Sequence, residues 1–166
     1  MRRVLIGGAL GVLAVSLAAC GGSSSKSASE QAMQRGADLW SIDQIEKNFH
    51  KATSKKDIDL MMRLWASNAT FTTKPGQTLT GKQQIRRFWL AAPAFQPDNR
   101  WVSDTAAYKI RITVNGDRGT LHFECHYIDS KTRKLGPVTA ADQQVARING
   151  SWLITDMVGG SATLTP

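Results

Sequence analysis

The stretch YKIRITVNGDRGTLHFECHYID, residues 108–129, carries the period that sets the fold. Tyr108, Ile110, Ile112 and Val114 alternate with Lys109, Arg111 and Thr113, the period of two expected of a half-buried strand. Asn115-Gly116 is a strong hairpin signal, because both residues tolerate the positive φ that a two-residue turn requires. Leu121, Phe123, Cys125 and Tyr127 then bring the apolar row back. If the loop is Asn115 to Arg118, or Gly116-Asp117 alone, Ile112 faces Leu121, Ile110 faces Phe123 and Tyr108 faces Cys125. If the loop is Asn115-Gly116, the register moves by an even step and every side chain keeps its face.

The opposite face holds His122, Glu124 and His126, three potential metal ligands, at alternate positions. Lys109, Arg111, Thr113 and Thr120 share that face. A site ringed by cations would repel the ion it is meant to hold. The row therefore reads as the outer side of the sheet, with no metal and a weak surface pairing between Lys109 and Glu124.

Upstream, RWVSDTAAYKIRITV (100–114) extends the alternation with Val102 and Ala106. Downstream, GPVTAADQQVARI (136–148) and SWLITDMVG (151–159) read as two more strands, joined at Asn149-Gly150. The N-terminal half changes period to about 3.6. ADLWSIDQIEKNFHKAT (37–53) puts Ile42, Ile45, Phe49 and Ala52 on one stripe. Asp57 is a plausible N-cap for IDLMMRLWA (58–66), with Ile58, Met61, Met62 and Trp65 inward. ATFTT (69–73) is a short strand, and Gly81 leads into KQQIRRFWLAA (82–92), which Pro93 and Pro97 close. Trp40, Trp65, Trp89, Trp152 and His50 are expected in the core. Helices first and antiparallel strands second mean an α+β domain, with helices packed on one sheet face.

The chain has 166 residues and a net charge of +8. It begins MRRVLIGGALGVLAVSLAAC: a short basic region, then an uncharged run from Val4 to Ala19 that is too short to span a bilayer comfortably. Leu17-Ala18-Ala19-Cys20 resembles the lipobox of bacterial lipoprotein signal peptides. That implies a signal peptide over 1–19 and a diacylglycerol-bearing, palmitate-type modification at Cys20. The expected address is the extracytoplasmic side of the cell membrane. GGSSSKSASE offers nothing to bury, so 20–36 is expected to be a flexible tether and 37–162 the folded domain. Cys125 is then the free thiol, and its place in the apolar row argues for inert packing. The cations are scattered without interleaved aromatics, which argues against nucleic acid. Attraction to anionic headgroups and ordinary solvated surface both remain open.

IDQIEKNFHKATSKKDIDLMMRLWASNATFT, LTGKQQIRRFW and NGSWLITDM, in that order and spacing over residues 38–160, resemble the nuclear-transport-factor-2-like, or SnoaL-like, superfamily. The resemblance implies a cone: three N-terminal helices on a curved antiparallel sheet, with a cavity open at one end and an outer sheet face available for a homodimer. Enzymes of this superfamily place Asp, His or Tyr in the cone, but the chain matches no full set of them, so no catalytic residue and no cofactor is assigned. The candidate ligand pocket is Tyr108, Tyr127, Asp142, Asp104 and Trp65, beside Ile45, Phe49 and Phe88. For Asp142, an outward position beside Gln144 is the competing placement. Three functions remain: a lipid-anchored module binding a small apolar ligand or a protein partner, a SnoaL-like lyase, isomerase or hydrolase on a small apolar substrate, or a structural envelope protein.

Overall fold

The structure is a computed structural model and describes residues 27–73, 76–103 and 109–161. Cys20, Asp104 and Tyr108 lie outside the described residues.

Helix α1 spans Ala28–Lys55. It starts earlier than the apolar stripe suggested, inside the stretch expected to be a tether. Ser27 and Glu30 explain the difference, because they form a capping box: the Ser27 hydroxyl accepts from the Glu30 amide, and the Glu30 carboxylate accepts from the Ser27 amide at 2.7 Å. The helix ends at Lys56, whose left-handed φ of 57° lets its amide reach the carbonyls of Ala52 and Thr53. Asp57 caps α2 (Ile58–Arg63) by accepting from the Leu60 amide at 2.8 Å.

Helix α2 is shorter than expected, and this moves Trp65. The chain turns at Leu64, whose carbonyl accepts from the Ile154 amide at 2.8 Å, and Trp65 opens strand β1 (Trp65–Thr72) rather than closing a helix. β2 (Thr78–Thr80) folds back on β1, and α3 (Lys82–Ala91) runs into a 3-10 turn at Pro93–Phe95. β3 (Trp101–Val102), β4 (Lys109–Asn115), β5 (Arg118–Asp129), β6 (Leu135–Ile148) and β7 (Ser151–Ser161) complete the sheet.

The strand order is β2-β1-β7-β6-β5-β3, with β4 also paired to β5. The sheet is mixed rather than wholly antiparallel, because β1 runs parallel to β7. The central hairpin turns on Gly116-Asp117, with Ile112 opposite Leu121, Ile110 opposite Phe123 and Arg111 opposite His122. β3 pairs Trp101 with Asp129 and Val102 with Ile128, a register three residues out of step with β4. Of the long strand expected over 100–114, the described residues thus form two pieces, β3 and β4, in different registers on β5.

The helices cover one face of this sheet. Ile42, Ile45, Phe49 and Ala52 of α1 meet Leu121, Phe123 and Cys125 of β5 and Ala141 and Val145 of β6, all buried. Trp65, Trp89 and Trp152 are buried too, whereas Trp40 is 65% exposed, contrary to its expected core position. Asp38 ties the first half of α1 to the sheet. It accepts from Arg147 Nη2 at 2.6 Å and from the Trp152 indole at 3.2 Å. These donors outweigh the upward push of burial and hold its carboxyl below the usual range.

Candidate functional site

A cavity of about 360 Å³ opens between α1, α3 and the inner faces of β1, β5, β6 and β7. Aromatic rings make most of its wall. Phe71 stacks on Trp89 with centroids 5.7 Å apart, Phe49 meets Trp89 edge-on at 5.4 Å, and Phe123 lies 5.6 Å from Phe49. Phe88 packs edge-on against Phe71 at 5.1 Å. Two larger hollows of about 600 Å³ lie at the other end of β5, around Asp117 and Arg147, and charged and polar side chains line them. An apolar wall with a few fixed polar groups is what holds a small organic molecule, so the aromatic cavity is the candidate site.

Four polar side chains stand on that wall, one of which, Thr73, is already tied to the Gln77 carbonyl at 3.2 Å. Tyr127 pairs through its hydroxyl with Thr53, and burial, reinforced by the nearby Cys125, pushes the phenol up to about 12, which keeps it a neutral donor. The Trp89 indole nitrogen is buried without a protein partner and can donate to an oxygen of a bound molecule. Thr139 faces the cavity, and its Oγ1 lies 3.1 Å from Cys125 Sγ.

Behind Thr139 runs a buried polar chain. Cys125 Sγ is 3.7 Å from His50 Nδ1, and His50 Nε2 is 3.1 Å from Glu46 Oε1. Cys125, His50 and Glu46 are 0%, 4% and 1% exposed. The Nε2 contact is close but poorly aligned for a hydrogen bond, and Glu46 Oε2 has no partner. Burial alone would lower the imidazole, yet the Cys125 sulfur and the Glu46 carboxylate hold it up at about 9. His50 is buried as expected, but it is held between a sulfur and a carboxylate and not by apolar contacts alone. Phe123 packs on its ring at 5.0 Å. The signal was Glu46 and His50 one turn apart on α1, beside the inward Ile45 and Phe49.

The other pocket candidates fare differently. Trp65 is fully buried and packs on Phe71 at 5.7 Å, so it supports the cavity from below instead of lining it. Asp142 is on the outer face, because Ala141 and Gln143 pair with the inward Phe123 and Leu121. Its carboxylate, 72% exposed, accepts from His122 Nδ1 at 2.7 Å. His122 Nε2 lies 3.1 Å from Glu124, and Lys109 Nζ lies 3.1 Å from the same oxygen. Both ring nitrogens of His122 are therefore taken up by carboxylates. Glu124 is only 6% exposed, so this pairing is more enclosed than a surface ion pair.

The comparisons with known proteins agree with this architecture. A family model described as a SnoaL-like domain matches residues 47–153. No functionally curated protein shows significant similarity. Among solved structures, an NTF2-like protein with a cystatin-like fold from Novosphingobium aromaticivorans superposes with a TM-score of 0.71 at 13% identity, covering 87% of this chain and 94% of the other. A candidate dehydratase of the NTF2-like family from Streptomyces avermitilis gives 0.62 at 14% identity, over 78% and 99%. A ketosteroid isomerase-like protein from Erwinia carotovora atroseptica gives 0.58 at 13% identity, over 76% and 98%. At these identities the structures establish the fold alone. The family-model match covers more than half of the chain, which therefore belongs to the SnoaL-like domain family.

Proposed function

We propose that this SnoaL-like domain binds a small, mostly apolar molecule carrying one or two oxygen atoms, and that acylated Cys20 holds it on the outer side of the cell membrane. The aromatic cavity carries the first half of this reading. Its rings supply apolar contact, while Tyr127 and the unpartnered Trp89 indole supply direction. The second half is supported by the Leu17-Ala18-Ala19-Cys20 sequence behind its uncharged run. Among the described residues, no helix is long and apolar enough to cross a membrane.

Native mass spectrometry of the purified full-length protein tests the cavity, followed by tryptophan-fluorescence titration with a panel of small apolar ketones and alcohols. Ala141 faces the cavity, so Ala141→Phe fills it and abolishes retention in a chain that still unfolds cooperatively. Tyr127→Phe weakens binding by about 1 kcal/mol, the worth of one hydrogen bond. A folded wild type that retains nothing and binds nothing in the panel refutes the reading. Cys20→Ser releases the chain from the detergent-extracted membrane fraction if the anchor is acyl; unchanged retention refutes the anchor.

The chain from Glu46 through His50 and Cys125 to Thr139 favours a second reading, proton-transfer catalysis on the same ligand. The names dehydratase and ketosteroid isomerase-like, carried by two similar folds, are in keeping with it. Affinity and turnover separate the two. In an enzyme, His50→Gln lowers turnover by about 10²–10⁴-fold with little change in affinity. In a binder there is no turnover to lose.

A further inference from the structure

Helix α1 has a second face that the domain does not use. At about 100° per residue, Met33, Ala37, Trp40, Lys47, Lys51 and Lys55 fall within about 40° of one line along the helix. All six are exposed, and the line lies opposite the buried stripe of Ile42, Ile45, Phe49 and Ala52. Trp40 and Met33, at 65% and 68%, are among the most exposed large apolar side chains described. The face is also ordered along its length. Its apolar part is nearest the N-terminus, and its three lysines follow, Lys47 being paired with Asp43.

We propose that this face of α1 docks on a bilayer rich in anionic lipid, with Met33 and Trp40 entering the headgroup boundary and the lysines resting on phosphate. The proposal rests on the acyl-anchor reading, which supplies the proximity. From Cys20 to Ser27 the chain reaches at most about 25 Å at full extension, so the start of α1 is held within that distance of the lipid. Within that reach, docking becomes an intramolecular step at high effective concentration. Indole is suited to this boundary, with an apolar ring and a wet N–H. Each lysine near an anionic surface favours the docked state by about fivefold, so with Lys47 paired to Asp43, Lys51 and Lys55 together favour it by about 25-fold. The position of the lysines on the same line as the apolar pair makes a membrane the fitting occupant, in preference to an apolar partner.

The test uses full-length protein, purified in detergent and reconstituted at less than one copy per vesicle. Vesicles of phosphatidylcholine with or without phosphatidylglycerol carry brominated acyl chains, and tryptophan emission is read for wild type and Trp40→Phe. In the anionic vesicles, bromine quenches a component that Trp40→Phe removes, and that component loses its access to aqueous iodide. Lys47→Gln/Lys51→Gln/Lys55→Gln, or phosphatidylcholine alone, restores iodide access. Flotation and the mass of the N-terminal peptide are read on the same sample. A chain that is acylated and floats, yet leaves Trp40 open to iodide, overturns docking and leaves the anchor intact. A chain that carries no acyl group but still shows the Trp40 component on anionic vesicles supports docking and overturns the anchor. Shielding of Trp40 that is indifferent to lipid charge and accompanied by a dimeric mass assigns the face to a second copy and overturns the proposal.

Discussion

The buried His50 gives the most demanding test of the site, because its effect has a sign as well as a size. In an unfolded chain its imidazole titrates near 6.5, and in the fold the Cys125 sulfur and Glu46 carboxylate hold it up at about 9 against the pull of burial. The folded state therefore binds this proton more tightly than the unfolded state. The stabilisation is complete below about pH 6.5, falls as the pH rises, and is gone above about 9. The interval corresponds to about 3 kcal/mol at roughly 1.4 kcal/mol per tenfold in proton affinity, and about 1–3 kcal/mol is the range to expect for a group so enclosed. Guanidinium unfolding of wild type and His50→Gln at pH 6 and pH 9.5 measures it. Groups remote from the site are common to both proteins, so the difference between the two pH dependences reports His50 together with its partners Cys125 and Glu46. The wild type should lose about 1–3 kcal/mol more than the variant across that interval. Glu46→Gln, which removes the carboxylate but keeps the shape, should flatten the wild-type slope in the same direction. Parallel pH dependences in all three proteins would refute the chain drawn from Glu46 to Cys125.

Asp38 gives the opposite limb. Its folded carboxyl titrates below the unfolded value, so its stabilisation is full above about pH 4 and disappears as acid protonates the folded form. Asp38→Asn should cost about 1–3 kcal/mol at pH 7 and progressively less toward pH 2, as read by urea melts. Phe123→Ala should cost about 3–5 kcal/mol, because Phe123 is 2% exposed and packs on both Phe49 and His50. His122→Gln should stay under about 1 kcal/mol, since Lys109 remains beside Glu124; equal losses from the two substitutions would contradict the assignment of sheet faces.

Much of this architecture is legible in the residues, and the failures have physical causes. The faces of the hairpin followed from alternation alone, because a core face tolerates no odd shift, while the choice between two even registers was made by the turn at Gly116-Asp117. Trp65 was assigned to the helix because Ile58, Met61, Met62 and Trp65 satisfy a helical stripe, which does not exclude a strand entry at Trp65. The choice was made by long-range pairing of the Leu64 carbonyl with Ile154. Asp142 was ambiguous because TAADQQVA has small or polar residues on both faces, so neither face announces itself. Its orientation is fixed by pairing to β5, whose apolar row leaves no doubt. His50 looked like filling because an imidazole among Ile45, Phe49 and Ala52 is an ordinary core residue until its partners are known. Cys125 comes from a strand 75 positions away, and no local pattern announces that meeting.

The parallel pairing of β1 with β7 has a consequence for how the chain comes together. β7 lies between β1 and β6, so the first strand to be synthesised has no route into the sheet except through the last. The β4–β5–β6 meander can form from neighbours in sequence, but β1 and β2 must wait for residues about ninety positions downstream. Contacts of that separation are slow to form, because the loop they close costs entropy before any contact repays it. The cavity inherits the delay. Phe71 of β1 and Met157 of β7 are both on its wall, so the candidate site cannot exist in a chain that has yet to deliver β7. Any partly made or C-terminally clipped product would carry the aromatic wall open and unpaired, a sticky intermediate rather than a slightly loosened fold.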